Sequence, residues 1–237
     1  MSNYSSTILN GCAYFNHIIL PHDCLLCGAP SGREALCPAC HADLPWHRTP
    51  QCPRCALPTT GGTLCGHCLQ QTPAFERTLA AFTYDFPLDT LIQALKYGHQ
   101  LAVLVPLATA LAQQVSAAPR PDVLIAMPLH PLRLRERGFN QALELAKIVA
   151  RRLDIPLLTH GAERIRATVP QVGLPLKKRA GNLRGAFTCS LDLQGKHVAI
   201  LDDVMTTGAS LRELALTLRR QGAREISAWV VARTVGK

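Results

Sequence analysis

Residues 198–211 read VAILDDVMTTGASL, an apolar run that delivers two adjacent carboxylates, Asp202 and Asp203, and then a turn of Thr206, Thr207, Gly208, Ala209 and Ser210. A turn of this composition opening a helix aims backbone N–H groups and hydroxyls at one point. Its glycine lets a ligand come close to the backbone, and together these features make a nest for a phosphate. Carboxylates placed there would repel the phosphate itself. They suit the hydroxyls of a neutral diol, or a Mg2+ ion shared with further phosphates. A ligand with a phosphate at one end, a ribose diol in the middle and magnesium alongside satisfies the whole arrangement. The plainer alternative is an acid pair that merely ends a strand and a threonine-rich cap that starts a helix, but a cap does not require paired acids behind an apolar strand. Competing nucleotide motifs are absent, since the chain has neither GxxxxGK[ST] nor GxGxxG after a strand.

A second chemistry is written in sulfur. Residues 24–40 and 52–68 carry the same frame, C-x2-C-x9-C-x2-C, 28 positions apart, and Pro30 and Pro58, like Leu36 and Leu64, recur at that offset. Each CxxC pair turns two thiolates toward one point, and two such pairs can face each other across a tetrahedral zinc ion at about 2.3 Å per sulfur. Sequential pairing assigns Cys24, Cys27, Cys37 and Cys40 to one Zn2+ and Cys52, Cys55, Cys65 and Cys68 to the other; a crossed pairing is left open by the spacing. Four thiolates leave no position for water, so both sites are expected to be structural, with the metal supplying folding free energy to about 45 residues that have little core of their own. The alternative, a disulfide knot, belongs to secreted chains. Residues 1–20 carry no Lys or Arg before their short apolar stretch and no small-residue cleavage site after it, so a cytoplasmic protein is expected. With the cysteine set complete, His22, His41, His47 and His67 are read as surface residues. Cys12 and Cys189, which lack a partner pair, are read as small buried hydrophobes.

These groups need elements to position them. A chain of 237 residues accommodates one ordinary domain and a small module, and its 48% hydrophobic and 17% charged composition is that of a globular protein. No run of 18 apolar residues occurs, so no membrane span is expected. The boundary is placed in residues 69–76, LQQTPAFE, which show no strong period and contain a proline. This divides the chain into 1–75, an N-terminal segment with a double zinc ribbon, and 76–237. Beyond the boundary, strand patterns at 79–86, 122–128, 197–201 and 226–232 alternate with helix patterns at 87–98, 102–115, 140–153 and 210–221. The alternation predicts an α/β fold, a mainly parallel sheet with helices on both faces. Such sheets bind ligands beyond the carboxyl ends of their strands, which directs attention to the loops after Pro128 and Leu201.

Residues 128–185 hold twelve Lys or Arg against four Asp or Glu, a net of +8 out of +9 for the whole chain. PLHPLRLRERGFNQA (128–142) sets His130, Arg133, Arg135 and Arg137 in a loop after a strand, and RATVPQVGLPLKKRAGNLRGAF (166–187) adds Arg166, Lys177, Lys178, Arg179 and Arg184. Preorganised cations beside a phosphate nest would stabilise a departing pyrophosphate. The same charges would bind a nucleic-acid backbone. A merely solvated charged face is the plain alternative, and the concentration of charge beside the phosphate turn counts against it.

The stretch VAILDDVMTTGAS resembles the phosphoribosyl-pyrophosphate (PRPP) motif of type I phosphoribosyltransferases over all 13 positions. The resemblance implies that Asp202 and Asp203 bind the ribose hydroxyls of PRPP with Mg2+ alongside, while Thr206, Thr207, Gly208, Ala209 and Ser210 hold its 5′-phosphate. On a larger scale the order of parts resembles the ComF family across essentially the full length: two four-cysteine ribbons, LKYG (95–98), PLHPLRLRERGFNQA, R-A-T-x-x-Q with N-L-R-G-A-F, and the PRPP motif. The eight-cysteine form looks like the GntX branch. In that family a zinc-ribbon region precedes a type I phosphoribosyltransferase domain, and members are associated with natural competence, the uptake of external DNA for transformation or as a nutrient. Arg137, Gly138, Phe139, Asn140 and Gln141 match the family's RGFNQ, and Arg166, Thr168, Gln171, Asn182 and Phe187 match its second block. The implied enzyme is a phosphoribosyltransferase of unspecified acceptor, with His130, Arg133, Arg137 and Arg166 in the basic loops that hold pyrophosphate. Two readings of other classes stand beside it. One is a non-catalytic module that handles single-stranded DNA through the basic face; the other gives the zinc ribbons a protein partner, such as a helicase-like competence protein. A pure DNA binder has no use for two carboxylates facing a phosphate turn, and at 5% aromatic residues the chain offers few stacking platforms.

Overall fold

The computed structural model of the chain describes residues 22–166 and 184–235. Its first elements are as short as a segment without an apolar run allows. β1 (His22–Asp23) pairs antiparallel with β2 (Pro30–Gly32), and two five-residue helices, α1 (Pro38–Ala42) and α2 (Gly66–Gln70), follow. Cys37 and Cys65 are the N-cap residues of these helices, so the sequence repeat becomes a structural one: the third cysteine of each frame caps a helix and the fourth lies in its first turn.

From Arg77 the elements lengthen: β3 (Arg77–Thr83), α3 (Leu88–Gly98), α4 (Leu104–Val115), β4 (Val123–Ala126), α5 (Pro131–Arg137), α6 (Gln141–Leu153), β5 (Leu157–Leu158), β6 (Ala162–Arg164), β7 (Phe187–Cys189), β8 (His197–Met205), α7 (Ala209–Arg220) and β9 (Glu225–Arg233). Five strands form one sheet in the order β3-β9-β8-β4-β5 with every neighbour parallel, and β6 and β7 form a separate antiparallel pair. The central strands β8 and β9 are apolar and buried along most of their length, as strands covered on both faces must be. α4 packs against α6 and on β3 and β9, while α6 also covers β4 and β8. The connection from β8 back to β9 runs the other way across the sheet, so a right-handed crossover carries α7 to the opposite face. The architecture is the α/β one expected from the sequence.

Several local readings change. β8 does not stop at Leu201. Its pairing with the apolar β9 carries it to Met205, with Asp202 opposite Val230 and Val204 opposite Ala232, so both acids stand inside a strand. Residues 131–137, read as a loop, form α5: Pro131 fits the first helical turn, His130 Nδ1 accepts from the Leu132 N–H at 3.2 Å, and Gly138, at φ 79°, ends the helix. The end of the stretch 69–76 packs against the sheet: Phe75 is 1% exposed, and Glu76 accepts from the Ile226 N–H at 2.8 Å and ion-pairs with Arg219. His47 is buried rather than on the surface, with its ring nitrogens 2.8 Å from the Ala56 carbonyl and 3.2 Å from Thr83 Oγ1. Cys189 is half-buried, and Cys12 lies outside the described residues. The cysteine-rich segment runs along β3. Thr83 N–H donates to the Pro45 carbonyl at 2.8 Å, His47 N–H to Ala81 at 2.9 Å, and Thr78 N–H to Pro53 at 3.1 Å. Among the described residues no helix is long and apolar enough to cross a membrane.

Candidate functional site

The sequential cysteine pairing is the one the fold assembles: the Sγ atoms of Cys24, Cys27, Cys37 and Cys40 lie within 4.8 Å of one another, and so do those of Cys52, Cys55, Cys65 and Cys68. A zinc ion with four sulfurs at about 2.3 Å requires tetrahedral edges of about 3.8 Å. Cys27 and Cys37 are 3.7 Å apart and Cys55 and Cys65 3.5 Å, so both donor sets fit zinc in chemistry and in size. Burial acts to raise the thiol pKa of Cys24, but backbone N–H groups of Cys37, Cys27 and Leu26 outweigh it and bring Cys24 down to about 6. The same balance, through Cys65, Cys55 and Arg54, brings Cys52 to about 7. Each cluster therefore has one thiolate near neutral pH ready to receive a cation.

The acid pair is asymmetric. Asp203 is 5% exposed, and its carboxylate lies 2.5 Å from Lys96 Nζ on α3 and accepts from Gln141 Nε2 on α6 at 3.4 Å. Asp202 is half-buried and lines, with residues 204–211, a concavity of about 40 Å3. Burial and the neighbouring Asp203 charge push the Asp202 carboxyl well above the ordinary carboxylate range. Burial also acts to raise Asp203, but Lys96 outweighs it and holds that carboxyl below its ordinary value. Lys96 answers in kind: burial acts to lower it, and the two aspartates keep it raised. Behind Gln141 stands Arg137, which donates to Gln141 Oε1 at 2.6 Å and stacks on Tyr97, its guanidinium carbon 5.6 Å from the ring centre. Lys96 and Gln141 were not among the expected site residues. Their only sequence signals were the LKYG and RGFNQ blocks, and nothing in either block says that it faces residue 203.

The turn after β8 leads directly into a helix. Gly208 adopts φ 75°, a left-handed backbone that favours glycine, and a Cβ there would lie 2.5 Å from the Met205 methyl carbon, which would have to shift. α7 starts at Ala209, whose N–H donates to Thr207 Oγ1 at 3.4 Å, and Thr206 and Thr207 are exposed while Ser210 is half-buried.

The four basic residues assigned to pyrophosphate have different partners. His130 helps to line a cavity of about 560 Å3 beyond the end of β4, with Pro128, Phe139, Asn140 and Arg164. Arg137 turns inward to Gln141, as described above. Arg133 pairs with Glu136 at 2.8 Å on the surface, and the exposed Arg166 donates to the Arg184 carbonyl at 3.0 Å. Arg133 and Arg137 lie four apart and share a face of α5, so it is their partners, Glu136 and Gln141, that set them apart. Arg164, outside the expected set, feels the charges of both Asp202 and Arg133. Burial lowers its pKa, the Asp202 charge acts in the opposite direction, and its guanidinium lies over Phe187. Thr168, Gln171, Lys177, Lys178, Arg179 and Asn182 lie outside the described residues.

Comparison with known proteins places these features side by side elsewhere. Residues 15–69 match the double zinc ribbon domain and residues 140–236 the phosphoribosyl transferase domain. The DNA utilization protein YhgH of Escherichia coli (strain K12) is 35% identical over 227 residues, covering 92% of this chain and 100% of that protein. Competence protein F of Haemophilus influenzae is 37% identical over 178 residues, 71% of this chain and 78% of its own. Among solved structures, a purine phosphoribosyltransferase from Pyrococcus horikoshii covers 55% of this chain and 72% of its own at 23% identity, with a TM-score of 0.37.

Proposed function

This chain belongs to the ComF family of competence and DNA utilization proteins, and from that premise we propose that it binds PRPP together with Mg2+ and transfers the phosphoribosyl group during the use of external DNA. The observation that supports the reading best is the divided acid pair. Lys96 neutralises the buried Asp203, which leaves Asp202 facing the concavity that the Thr206–Ser210 turn encloses. In this reading Asp202, with Asp203 behind it, receives the ribose hydroxyls, and the Thr206, Thr207, Gly208, Ala209 and Ser210 turn holds the 5′-phosphate at the start of α7. The carboxylates also suit Mg2+, which when bound with PRPP would offset the charge of the pyrophosphate.

The chain's own part in transfer is electrostatic. As the bond between C1 of the ribose and the pyrophosphate breaks, positive charge grows on the sugar ring, close to Asp202, and negative charge on the leaving group. Arg164 is a cation lining the cavity beyond the end of β4, with the His130 ring beside it, and Arg137 supports the acid pair through Gln141. The acceptor adds at C1 as the bond to pyrophosphate breaks. The expected compartment is the cytoplasm.

A second reading, single-stranded DNA on the basic face, is favoured by α5, where Arg135 is exposed and the Arg133 side chain is 43% exposed. Calorimetric titration with PRPP, with and without Mg2+, decides between them. Magnesium-dependent binding that disappears in Asp202→Asn supports the transferase reading. A folded wild-type protein that takes up no PRPP refutes it and leaves the basic face and the zinc ribbons to carry the function.

A further inference from the structure

Arg233, near the end of β9, is 4% exposed, and no carboxylate stands among its described partners. Its Nε donates to the carbonyl of Cys55 at 2.7 Å. Its Nη1 donates to the carbonyls of Met205 at 3.0 Å and Thr234 at 2.7 Å, and to that of Thr206. Burying a guanidinium carries a large desolvation cost that neutral carbonyls offset only in part, so a nearby negative charge is favoured. The nearest source of negative charge is the second cysteine cluster, which with four thiolates and one Zn2+ carries a net charge of about −2.

We infer that Arg233 is the counter-ion of the second zinc–thiolate cluster and, through the same guanidinium, the residue that positions the phosphate turn, so that metal in the second cluster sets ligand affinity at residues 206–210. Phe75 adds a second contact along the same path. Its ring would lie 3.9 Å from a Cβ at Gly208, and it lines, with Cys55, Cys68 and Thr207, a cavity of about 680 Å3 between the cluster and the turn. The first cluster makes no comparable contact among the described residues. The two copies of the cysteine frame are therefore not equivalent: the second is built into the phosphate site. Arg233 acts here as a positioning residue, and the effect on ligand rests on the PRPP reading given above.

Hydrogen exchange read by mass spectrometry, on the full chain before and after zinc chelation and without any ligand, tests the coupling directly. The expected result is faster exchange at residues 204–210 together with 52–68, while 123–126 at the far side of β8 keeps its protection. Unchanged exchange at 204–210 overturns the inference. Protection lost evenly, 123–126 included, also overturns it, because zinc would then support the whole fold and not this turn. Two variants separate the charge from the fork: Arg233→Met should speed release of one of the two zinc ions to a chromophoric chelator and weaken PRPP binding about tenfold, an ordinary size for coupled sites. Arg233→Lys should keep the zinc and recover only part of the binding. Equal zinc release by wild type and Arg233→Met counts against the counter-ion role. If exchange is coupled but wild type takes up no PRPP, the PRPP reading fails and the coupling stands; PRPP bound with uncoupled exchange gives the converse.

Discussion

Lys96→Met removes the cation from beneath the acid pair and leaves the methylenes in place. The ion pair it breaks has an N–O distance of 2.5 Å, with side chains 19% and 7% exposed, which makes it a buried pair. Deleting one partner of a buried pair costs about 3–5 kcal/mol, and the residual exposure of Lys96 points to the lower end, about 3 kcal/mol. For a chain of this size each kcal/mol moves Tm by roughly 2–4 °C, so a fall of about 6–12 °C at pH 8 is expected in a thermal melt followed by circular dichroism. The pH dependence gives the sharper check. Asp203 is held below its ordinary pKa in the folded protein, so its stabilisation is present above the unfolded value, near pH 4, and is lost as pH falls through the folded value. Without Lys96 the Asp203 carboxyl rises. The deficit of the variant should then be largest at pH 8 and narrow on acidification by about 1.4 kcal/mol per pH unit while the folded carboxyl is protonated. Asp202 is raised by burial and by Asp203 while Lys96 acts against that rise, so losing Lys96 raises Asp202 further and softens the variant with rising pH in the same sense. Adding Asp203→Asn to the variant should restore most of the loss. A deficit under about 2 °C at pH 8, or one equal at pH 8 and pH 5, would refute the account of Lys96 as a buried counter-ion.

Gly208→Ala combines a left-handed backbone with a Cβ 2.5 Å from the Met205 methyl carbon, and should cost about 1–2 kcal/mol and abolish PRPP binding; an unchanged melt would show that the turn is not held as described. Cys65→Ser should leave one zinc ion per chain by atomic absorption, and a count that stays at two would overturn the sequential ligand set. Arg133→Ala removes an exposed pair with Glu136 and should change stability by less than about 0.5 kcal/mol. If single-stranded DNA binds this face, the same variant should lower the salt slope by about 0.7, and an identical slope removes Arg133 from that surface.

What the sequence made legible was whatever is periodic or chemically unusual. The eight cysteines were legible as two repeated four-thiol frames, though the choice of sequential over crossed pairing came only with the fold, and the apolar strands of the sheet gave the α/β class through their alternation with amphipathic helices. Asp202 and Asp203 were visible as a pair, but not as unequal partners. That inequality is set by Lys96, 107 positions earlier, and a lysine near the end of an amphipathic helix reads as a solvated residue until the fold buries it. Arg233 was hidden for a similar reason, since it ends an apolar strand where a charge reads as an exit to solvent. The α5 helix carried its own signals, a capping histidine, a proline in the first turn and a terminal glycine, yet four charges in seven residues outweighed them in the reading. The strand extension through 202–205 could not be read locally at all, because it depends on pairing with β9.

The backbone contacts from Pro45, His47 and Pro53 to β3 have a consequence for dissecting the protein. β3 is an outer strand of seven residues, RTLAAFT, apolar in its middle and free of proline, and a strand of that kind left unpaired is a template for a strand from another molecule. The opposite rim of the sheet, β5, is two residues long and offers no such template. A fragment beginning at residue 76 would therefore expose the adhesive rim and keep the harmless one. Its tendency would be to self-associate even with every residue of the phosphate turn intact, because the cysteine-rich segment is what occupies the backbone of β3 along that side.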